Sequence, residues 1–568
     1  MKKKCLLIFP PLAHPAQPYL SVPLLAGQLK KEGFDVSSRD LNVEFFNDIL
    51  DKKYLEFCLL NRKKQKKIDT FCSTFSANIK DAIDNVDEAV NVYKSESFYD
   101  SDKLIQAIKR ISVSLKIVSL KYYPTEISFA NYKNPNYSFE YEDVKKFCLS
   151  KEENIFLDYF EKIVDQIKKE NIDFVGVSVP YTTQIVPALT LAYLIKQNTS
   201  AHVNIGGNLI SRLSETFIDN PEFFDIFADT VSIGDGELQI VDLVKNIYDY
   251  SSVEGIIYKS EQGIRYNPSK SIDDLSEIAV PYYAGYDFKK YFSPEVICTL
   301  QFSKGCYWGK CTFCDFYFGK PSFYHKSIPQ IVDEIQYIQK KYSINKFEFS
   351  DEAIPPKLLK EFAQELIRKN VKITYFVMSR TEKEFSKDLL SLLYDSGLRM
   401  MNWGIESGSE RILKLMNKGI DVKDRIRLLS DADELGIWNH SYVMLSFPSE
   451  TKKEIQETID LYVNNENILH IYNSQEFCAH KHSKIIKCFD DYNVKLSLNK
   501  NFLPYFKYSD TITDKQTNSN SCDEFRKEYV RTCGLGLWQL IFPDEYLFLY
   551  VNKLGKNKLR QIKIEKRN

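Results

Sequence analysis

Short apolar runs alternate with helical patterns in two separate parts of this chain, and this alternation constrains the fold more than any other feature. In the first part, the runs 4–9, 174–179 and 202–205 are each followed by a segment with helical spacing. Strands that alternate with helices pair in parallel through right-handed crossovers. The pattern therefore predicts an α/β fold whose N-terminal part is a doubly wound parallel sheet.

The second alternating part has a repeat of about 30 residues, which is typical of a full or partial (β/α) barrel. Its strands are expected near residues 296–300, 346–350, 373–378, 400–405 and 441–446. We favour a partial barrel, followed by a small helical C-terminal region. In barrels, the active residues lie at the carboxyl ends of the strands.

These patterns predict an order of domains along the 568 residues. Residues 1–258 are expected to form the sheet domain, with a helical insertion at about 43–169. Residues 259–292 are interpreted as a linker, because they contain prolines and several polar residues. We expect the barrel-like domain at 293–495 and a C-terminal cap at 496–568.

Charge and hydropathy exclude several classes of partner. Lysine and arginine total 76 and aspartate and glutamate total 77, so no global field attracts nucleic acid or anionic lipid. No run of about eighteen apolar residues is present, and we expect no membrane association. The protein is predicted to be cytoplasmic. There its 12 cysteines stay mostly reduced, so closely spaced cysteines indicate metal binding.

Three cysteines, Cys306, Cys311 and Cys314, fall within nine residues directly after the first strand of the second part. Gly305 and Gly309 allow the loop to curl tightly around a metal. Three thiolates can hold three corners of an iron–sulfur cube and leave the fourth iron open to a small molecule. These three cysteines are the predicted metal ligands.

Zinc is the alternative for the same loop. A structural zinc site needs four ligands. His325 or Cys298 could supply the fourth, but Cys298 lies in an apolar strand and His325 in a polar stretch. We therefore favour the iron–sulfur cluster.

The loop, with Phe313 before its last cysteine, resembles that of the radical S-adenosylmethionine (SAM) superfamily, and the resemblance covers about residues 296–465. It implies a [4Fe-4S] cluster, SAM bound at the open iron, and an electron that releases a 5'-deoxyadenosyl radical from SAM. One departure is the spacing between Cys306 and Cys311. It is four residues here and usually three in the family, and the extra residue lies within 307–310.

Other strand ends resemble the cofactor contacts of this superfamily. Glu352 lies at an acidic strand end, which implies a position near the amino group of SAM; helix capping is the alternative. Arg380 ends another strand and could pair with the SAM carboxylate through two contacts, or form a surface ion pair.

The element 404–409 matches Gly-x-Glu-Ser-Gly-Ser, which is found in one branch of the family. The match implies that Gly404 and Ser407 allow close approach of the cofactor and that Glu406 accepts from its ribose or amino groups. Ser446 lies in a strand end that resembles the one beside adenine. The usual version has glycine where this chain has Ser446 and Ser449.

The N-terminal part resembles the cobalamin-binding domain of the cobalamin-dependent radical branch. The resemblance implies cobalamin contacts at the carboxyl ends of its strands, from Pro10, Tyr181, Thr182, Gly206, Gly207, Gly234 and Gly236. Each position alone is also explained by an ordinary turn. The Asp-x-His-x-x-Gly segment of mutase-type domains is absent, so we expect no histidine below the cobalt.

The resemblance implies an enzyme that cleaves SAM reductively and, with cobalamin, methylates an unactivated carbon of a small-molecule or peptide substrate. An electron donor such as flavodoxin or ferredoxin is implied as a partner. We nominate no catalytic acid or base, because the first step does not require one. One alternative is a radical rearrangement or cyclisation in which the N-terminal domain only binds substrate. The other is a noncatalytic iron–sulfur or zinc protein.

Overall fold

A computed structural model describes residues 2–270, 272, 274–315, 323–492, 494–497, 502–510, 515–516, 521–541 and 543–562. The chain divides into two compact units. The first comprises Met1–Ile272, Glu277–Val296 and Lys500–Pro504. The second comprises Asp273–Ser276, Ile297–Asn499 and Tyr505–Asn568.

The strands of the first unit are short and mostly buried. They are β1 (Lys4–Phe9), β2 (Asp35–Asp40), β3 (Glu126–Ser128), β4 (Asn131–Lys133), β5 (Phe174–Ser178), β6 (His202–Gly206), β7 (Thr230–Ser232), β8 (Ile256–Ser260) and β9 (Gly263–Asn267). The main sheet has the order β2-β1-β5-β6-β7-β8-β9. The five strands β2, β1, β5, β6 and β7 pair in parallel, and β8 and β9 add antiparallel at one edge. The predicted doubly wound parallel sheet is therefore confirmed.

Helices connect these strands. They are α1 (Ser21–Lys31), α2 (Leu41–Ile49), α3 (Lys52–Leu60), α4 (Lys66–Thr74), α5 (Ser76–Asp84), α6 (Val86–Tyr93), α7 (Ser101–Lys121), α8 (Tyr141–Cys148), α9 (Ile155–Glu170), α10 (Ile185–Asn198), α11 (Asn208–Ser211), α12 (Ser214–Ile218), α13 (Phe223–Ile226) and α14 (Gly236–Lys245). Helices α2 to α9 and the β3–β4 hairpin lie between β2 and β5, in the region expected to be a helical insertion. Asp40 begins this region as a helix cap, because its carboxylate accepts from the amides of Asn42 and Val43.

The second unit contains a parallel sheet of the predicted partial-barrel type. Its strands are β10 (Ile297–Leu300), β11 (Ser303–Lys304), β12 (Tyr324–His325), β13 (Lys346–Phe349), β14 (Thr374–Ser379), β15 (Leu398–Glu406), β16 (Trp438–Leu445), β17 (His470–Glu476), β18 (Ala479–His480), β19 (Val494–Ser497), β20 (Tyr505–Asp510) and β21 (Lys515–Gln516). The main sheet runs β10-β13-β14-β15-β16-β17 with every pair parallel. All carboxyl ends therefore share one edge.

The helices of this unit are α15 (Ile328–Tyr342), α16 (Pro356–Arg368), α17 (Lys387–Ser396), α18 (Glu410–Leu415), α19 (Val422–Glu434), α20 (Lys452–Asn464), α21 (Ser521–Cys533), α22 (Asp544–Leu554) and α23 (Lys556–Gln561). The C-terminal region is helical from α21 onward, as expected, and it is preceded by a small antiparallel sheet of β18 to β21. Within the described ranges, no helix is both long enough and apolar enough to cross a bilayer.

Candidate active site

The three-cysteine loop begins at the carboxyl end of β10, and the protein fixes its first residues. Asp351 is buried, and its carboxylate accepts from the amides of Phe302 (2.8 Å) and Ser303 (2.6 Å). Burial raises the pKa of Asp351 to about 6, although these hydrogen bonds oppose the shift. Strand β11 then pairs antiparallel with β12, which brings the two ends of the loop together. Asp351, one of the two carboxylates at the predicted acidic strand end, therefore has the structural role of holding the start of the loop.

The middle of the loop lies against the chain that follows α18. The amide of Thr312 donates to the carbonyl of Met416 (2.9 Å), and the Asn417 side chain donates to the carbonyl of Lys310 (3.1 Å). These two contacts flank Cys311 on both sides in sequence. All three cysteines of the loop are half-buried. Protein contacts therefore hold part of the loop without the help of a bound metal.

Trp308 occupies the longer first spacing of the loop. Its indole Nε1 donates to the carbonyl of Asn417 at 2.9 Å. A Cβ on Gly419 would lie only 2.1 Å from the indole ring, so this residue must be glycine for the ring to fit. Gly419 also has a φ of +65°, which favours glycine. The extra residue in the cysteine spacing is thus accommodated by an aromatic anchor.

Arg380 is placed at the end of β14, as predicted, and is buried against the same loop. Its guanidinium lies 4.2 Å from the centroid of the Trp308 ring. Its Nη2 donates to the carbonyl of Lys418 (2.6 Å), and its Nε pairs with Glu382 (2.9 Å). These contacts show that Arg380 holds the cysteine loop against the chain after α18.

Glu406 ends β15 and forms a buried ion pair that the sequence did not predict. Its Oε1 accepts from Lys418 Nζ at 2.6 Å, and the two residues are 9% and 6% exposed. A Cβ on Gly404 would lie 2.5 Å from this Nζ, so glycine at 404 makes room for the pair. Burial raises the pKa of Cys311, and the nearby charges of Lys418 and Arg380 oppose the shift.

The rest of the Gly-x-Glu-Ser-Gly-Ser element packs against α20. Ser407 is fully buried, and its hydroxyl lies 3.3 Å from that of Thr458. A Cβ on Gly408 would lie 2.5 Å from the carbonyl oxygen of Glu457. In this structure Ser407 therefore contacts α20, and the prediction that it contacts a cofactor remains a prediction.

The other predicted SAM contacts also lie at strand ends. Glu352 is half-buried between β13 and α16. Ser446 and Ser449 follow β16 with φ values of +60° and +67°, in the region that favours glycine. This backbone explains why the usual version of the segment has glycine at both positions. Ser446 is buried, and its hydroxyl bonds that of Ser521 at 2.9 Å.

The predicted cobalamin contacts lie after β1, β5, β6 and β7, whose carboxyl ends share one edge of the first sheet. These residues are Pro10, Tyr181, Thr182, Gly206, Gly207, Gly234 and Gly236. A Cβ on Gly207 would lie 2.8 Å from the backbone of Val179, so two of the loops approach closely here. Gly236 has no such restriction, because its Cβ would meet only Leu25 at 3.4 Å.

Gln184 is a residue of this edge that the sequence analysis missed. It is fully buried, and its Nε2 donates to the carbonyl of Pro10 at 2.6 Å. The amide of Tyr181 donates to its Oε1 at 3.3 Å. Gln184 therefore joins the loops after β1 and β5. The only sequence signal was a glutamine at the start of an apolar helix.

Neither histidine of the N-terminal sheet has the setting of a mutase-type ligand. His14 is buried, its ring contacts Phe129 edge-on, and burial lowers its pKa to about 3. His202 lies in β6 and bonds Thr230. The prediction that no histidine ligates cobalt stays a prediction.

The residues fit an iron–sulfur cluster by their chemistry. In the part of the chain that the structure describes, no three His, Cys, Asp or Glu side chains are grouped to hold one metal ion. Each thiolate of a cube binds a different iron, so the sulfurs need not converge on one point. A thiolate-held cluster is negatively charged, and Lys418 and Arg380 place two cations beside Cys311.

Comparison with known proteins agrees with an iron–sulfur cluster at this loop. The sequence profile of the radical SAM superfamily matches residues 300–462. The uncharacterised methyltransferase PH0819 of Pyrococcus horikoshii is 27% identical over 311 residues, which are 53% of this chain and 66% of that protein. The match thus spans slightly less than two thirds of that relative.

Two solved structures share the fold. One is OxsB, a cobalamin-dependent SAM radical enzyme with aqua-cobalamin bound; it has a TM-score of 0.59 and 14% identity, over 93% of this chain and 66% of that one. The other is the radical SAM methyltransferase TsrM of Kitasatospora setae, with cobalamin and a [4Fe-4S] cluster bound. Its TM-score is 0.57 at 13% identity, over 96% of this chain and 90% of that one. Residues 300–462 therefore match the radical SAM superfamily, and the chain shares the fold of OxsB and TsrM.

Proposed function

We propose that this protein is a cobalamin-dependent radical SAM methyltransferase that methylates an unactivated carbon of a small-molecule or peptide substrate. The observation that carries the proposal is the cysteine loop. Its three thiols follow the first barrel strand, and it is fixed by Asp351 and by the chain after α18. Two buried cations, Lys418 and Arg380, lie near Cys311, and each is paired with a carboxylate. This setting suits a negatively charged cluster, because fixed cations stabilise it in a low dielectric.

The proposed SAM contacts are Glu352, Arg380, Gly404, Glu406, Ser407 and Ser446. Glu406 has the best geometric support, because it lies at a strand end with a φ of +63°. A non-glycine residue in that conformation is strained, and such strain concentrates at functional sites. Glu406, Arg380 and Ser407 also make protein contacts, so we propose that each both contacts SAM and holds its own part of the site in place.

The N-terminal sheet is the proposed cobalamin site. Its strand ends form a common edge, and in open α/β sheets ligands bind beyond such an edge. Gly207 lies at this edge, and its missing side chain allows the loops after β5 and β6 to approach closely. Tyr181 follows β5, is 44% exposed, and packs edge-on against Tyr19.

When bound, the cluster would supply the electron that cleaves SAM and cobalamin would supply the methyl group. The residues of the chain have other tasks. Cys306, Cys311 and Cys314 bind the cluster, Trp308 and Arg380 hold their loop, and Gln184 joins the loops that face cobalamin. A donor such as flavodoxin or ferredoxin would deliver the electron.

The test is anaerobic reconstitution with iron, sulfide and hydroxocobalamin, followed by reduction in the presence of SAM. We expect about four irons and one cobalamin per chain, and formation of 5'-deoxyadenosine. Cys311→Ala should abolish 5'-deoxyadenosine formation. Cys72→Ala is the matched control, because Cys72 lies in α4, outside the cysteine loop, and it should leave the product unchanged.

Three results would contradict the proposal in different parts. Tetrahedral zinc in oxygen-free protein would exclude the radical reaction. A cluster with four protein ligands would exclude binding of SAM at an open iron. A normal cluster without bound cobalamin would leave a radical enzyme and exclude methylation by cobalamin.

A further inference from the structure

Lys418 is a buried lysine in a loop, where lysines are usually exposed. It lies three residues after α18, and its side chain is 8% exposed. Its Nζ donates to Glu406 Oε1 at 2.6 Å. Burial disfavours the charge of Lys418, but the ion pair with Glu406 more than compensates and raises its pKa. The chain therefore keeps a fixed positive charge inside this unit.

The end of β15 has an unusual local structure around this charge, and Arg380 fixes the main chain that carries it. Gly404 lacks the Cβ that would lie 2.5 Å from Nζ. Glu406 has a φ of +63°, and the β15–β16 register shifts between Gly404 and Glu406. The carbonyl of Lys418 itself accepts from Arg380 Nη2 at 2.6 Å. A strained residue and a buried ion pair are each unfavourable for stability alone, so their combination indicates a function.

The charge lies next to one specific cysteine. Hydrogen bonds from Thr312 to Met416 and from Asn417 to Lys310 run on either side of Cys311. Lys418 therefore comes directly after Met416 and Asn417, the two residues that make these contacts. Arg380 joins the same two segments, because it donates to the carbonyl of Lys418 at 2.6 Å and its guanidinium lies 4.2 Å from the ring of Trp308 in the cysteine loop.

We propose that Lys418 is a positioning residue that sets the reduction potential of the iron–sulfur cluster through its charge beside Cys311. This inference rests on the proposed function only in requiring a cluster on the three cysteines. Reduction adds one negative charge to a site that already carries thiolates. A fixed cation stabilises the reduced form more than the oxidised form, and the Glu406 carboxylate partly cancels this effect.

The test is a redox titration of the reconstituted enzyme without SAM, followed by electron paramagnetic resonance of the reduced cluster. Lys418→Met removes the charge and keeps the apolar stem. We expect the ratio of reduced to oxidised cluster at a fixed potential to fall at least tenfold, which corresponds to about 59 mV for one electron. Glu406→Gln should change the ratio in the opposite direction, and Lys418→Arg should retain the wild-type value.

The double variant Lys418→Met with Glu406→Gln removes both charges and is expected close to the wild type. If Lys418→Met does not fold because it leaves Glu406 unpaired, the double variant compared with Glu406→Gln gives the same test. In that comparison, the cluster of the double variant must be harder to reduce than the cluster of Glu406→Gln.

Equal potentials in all variants, with normal iron content, would overturn the inference and leave the proposed function intact. A fall in potential for both single variants would also overturn it, because a charge effect requires opposite signs. A wild-type protein that holds no cluster would overturn both proposals.

Discussion

The contact between Gly419 and Trp308 gives a quantitative test of how the cysteine loop is held. Gly419→Ala introduces a Cβ 2.1 Å from Cζ2 of the indole, which cannot be accommodated without moving the ring. Moving it breaks the hydrogen bond to Asn417 and the contact with Arg380. These interactions contribute roughly 1 kcal/mol each. The left-handed backbone at φ +65° adds about 1–2 kcal/mol.

We therefore expect Gly419→Ala to lower the free energy of unfolding of the second unit by about 3–4 kcal/mol. Gly534→Ala is the control. Gly534 also has a positive φ, of +80°, but nothing lies within 4 Å of the added Cβ, so only the backbone cost of about 1–2 kcal/mol remains. The difference between the two variants isolates the displacement of Trp308.

Tryptophan fluorescence during urea unfolding is a selective assay for this unit. The chain has 4 tryptophans, at positions 308, 403, 438 and 538, and all belong to the second unit. A signal from this unit alone avoids the error of treating a chain with two units as a single transition. If Gly419→Ala costs no more than Gly534→Ala, Trp308 is not an anchor of the loop and the reasoning is wrong.

Three further predictions concern the same unit. Gly408→Ala places a Cβ 2.5 Å from the carbonyl oxygen of Glu457, so the backbone of α20 must shift; we expect a loss of about 1–3 kcal/mol, measured by the same fluorescence assay. Ser449→Gly relieves a φ of +67°, but the freer unfolded chain and the loss of the hydroxyl that accepts from Arg411 at 3.2 Å offset this gain, so we expect stability to change by less than about 1 kcal/mol; a larger loss would contradict this. Asp351 has a pKa raised to about 6 in the folded chain, so the folded state binds its proton more tightly than the unfolded state does. The stabilisation that Asp351 contributes is fully present below its unfolded pKa, which is near 4. About 3 kcal/mol of it is lost as the pH rises to 6. Asp351→Asn should flatten this part of the pH profile of unfolding, and an unchanged slope would contradict the assignment.

The fold could be predicted from the sequence because its signal is local. An apolar run such as Phe174–Val179 followed by a helical pattern defines a strand and its crossover, and parallel pairing follows from the repeat. The position of the sites at the strand ends then follows from the topology, because the carboxyl ends of parallel strands lie along one edge. The placement of the three cysteines in one loop after β10 was equally predictable, since their spacing is a property of a single loop, and their role as ligands stays a prediction.

The partners of the predicted residues could not be read in the same way. Gln184 bonds Pro10 across 174 positions, and the sequence gives no signal for that contact. Arg380 was expected to pair with the SAM carboxylate or to form an ion pair, and the sequence did not indicate its contacts with the Lys418 carbonyl, the Trp308 ring and Glu382. A polar side chain shows which chemistry it can perform, whereas its partner is decided by the tertiary structure.

Glycine and lysine at 404 and 418 illustrate this limit most clearly. Gly404 was interpreted as space for a cofactor, and Lys418, between an asparagine and a glycine, has the sequence setting of an exposed turn. In the structure the missing side chain of one makes room for the charge of the other. Neither residue is informative alone, because the Lys418–Glu406 pair needs the space that a side chain at 404 would fill. A charged residue in a turn near a motif glycine is therefore worth testing for burial before it is assigned to the surface.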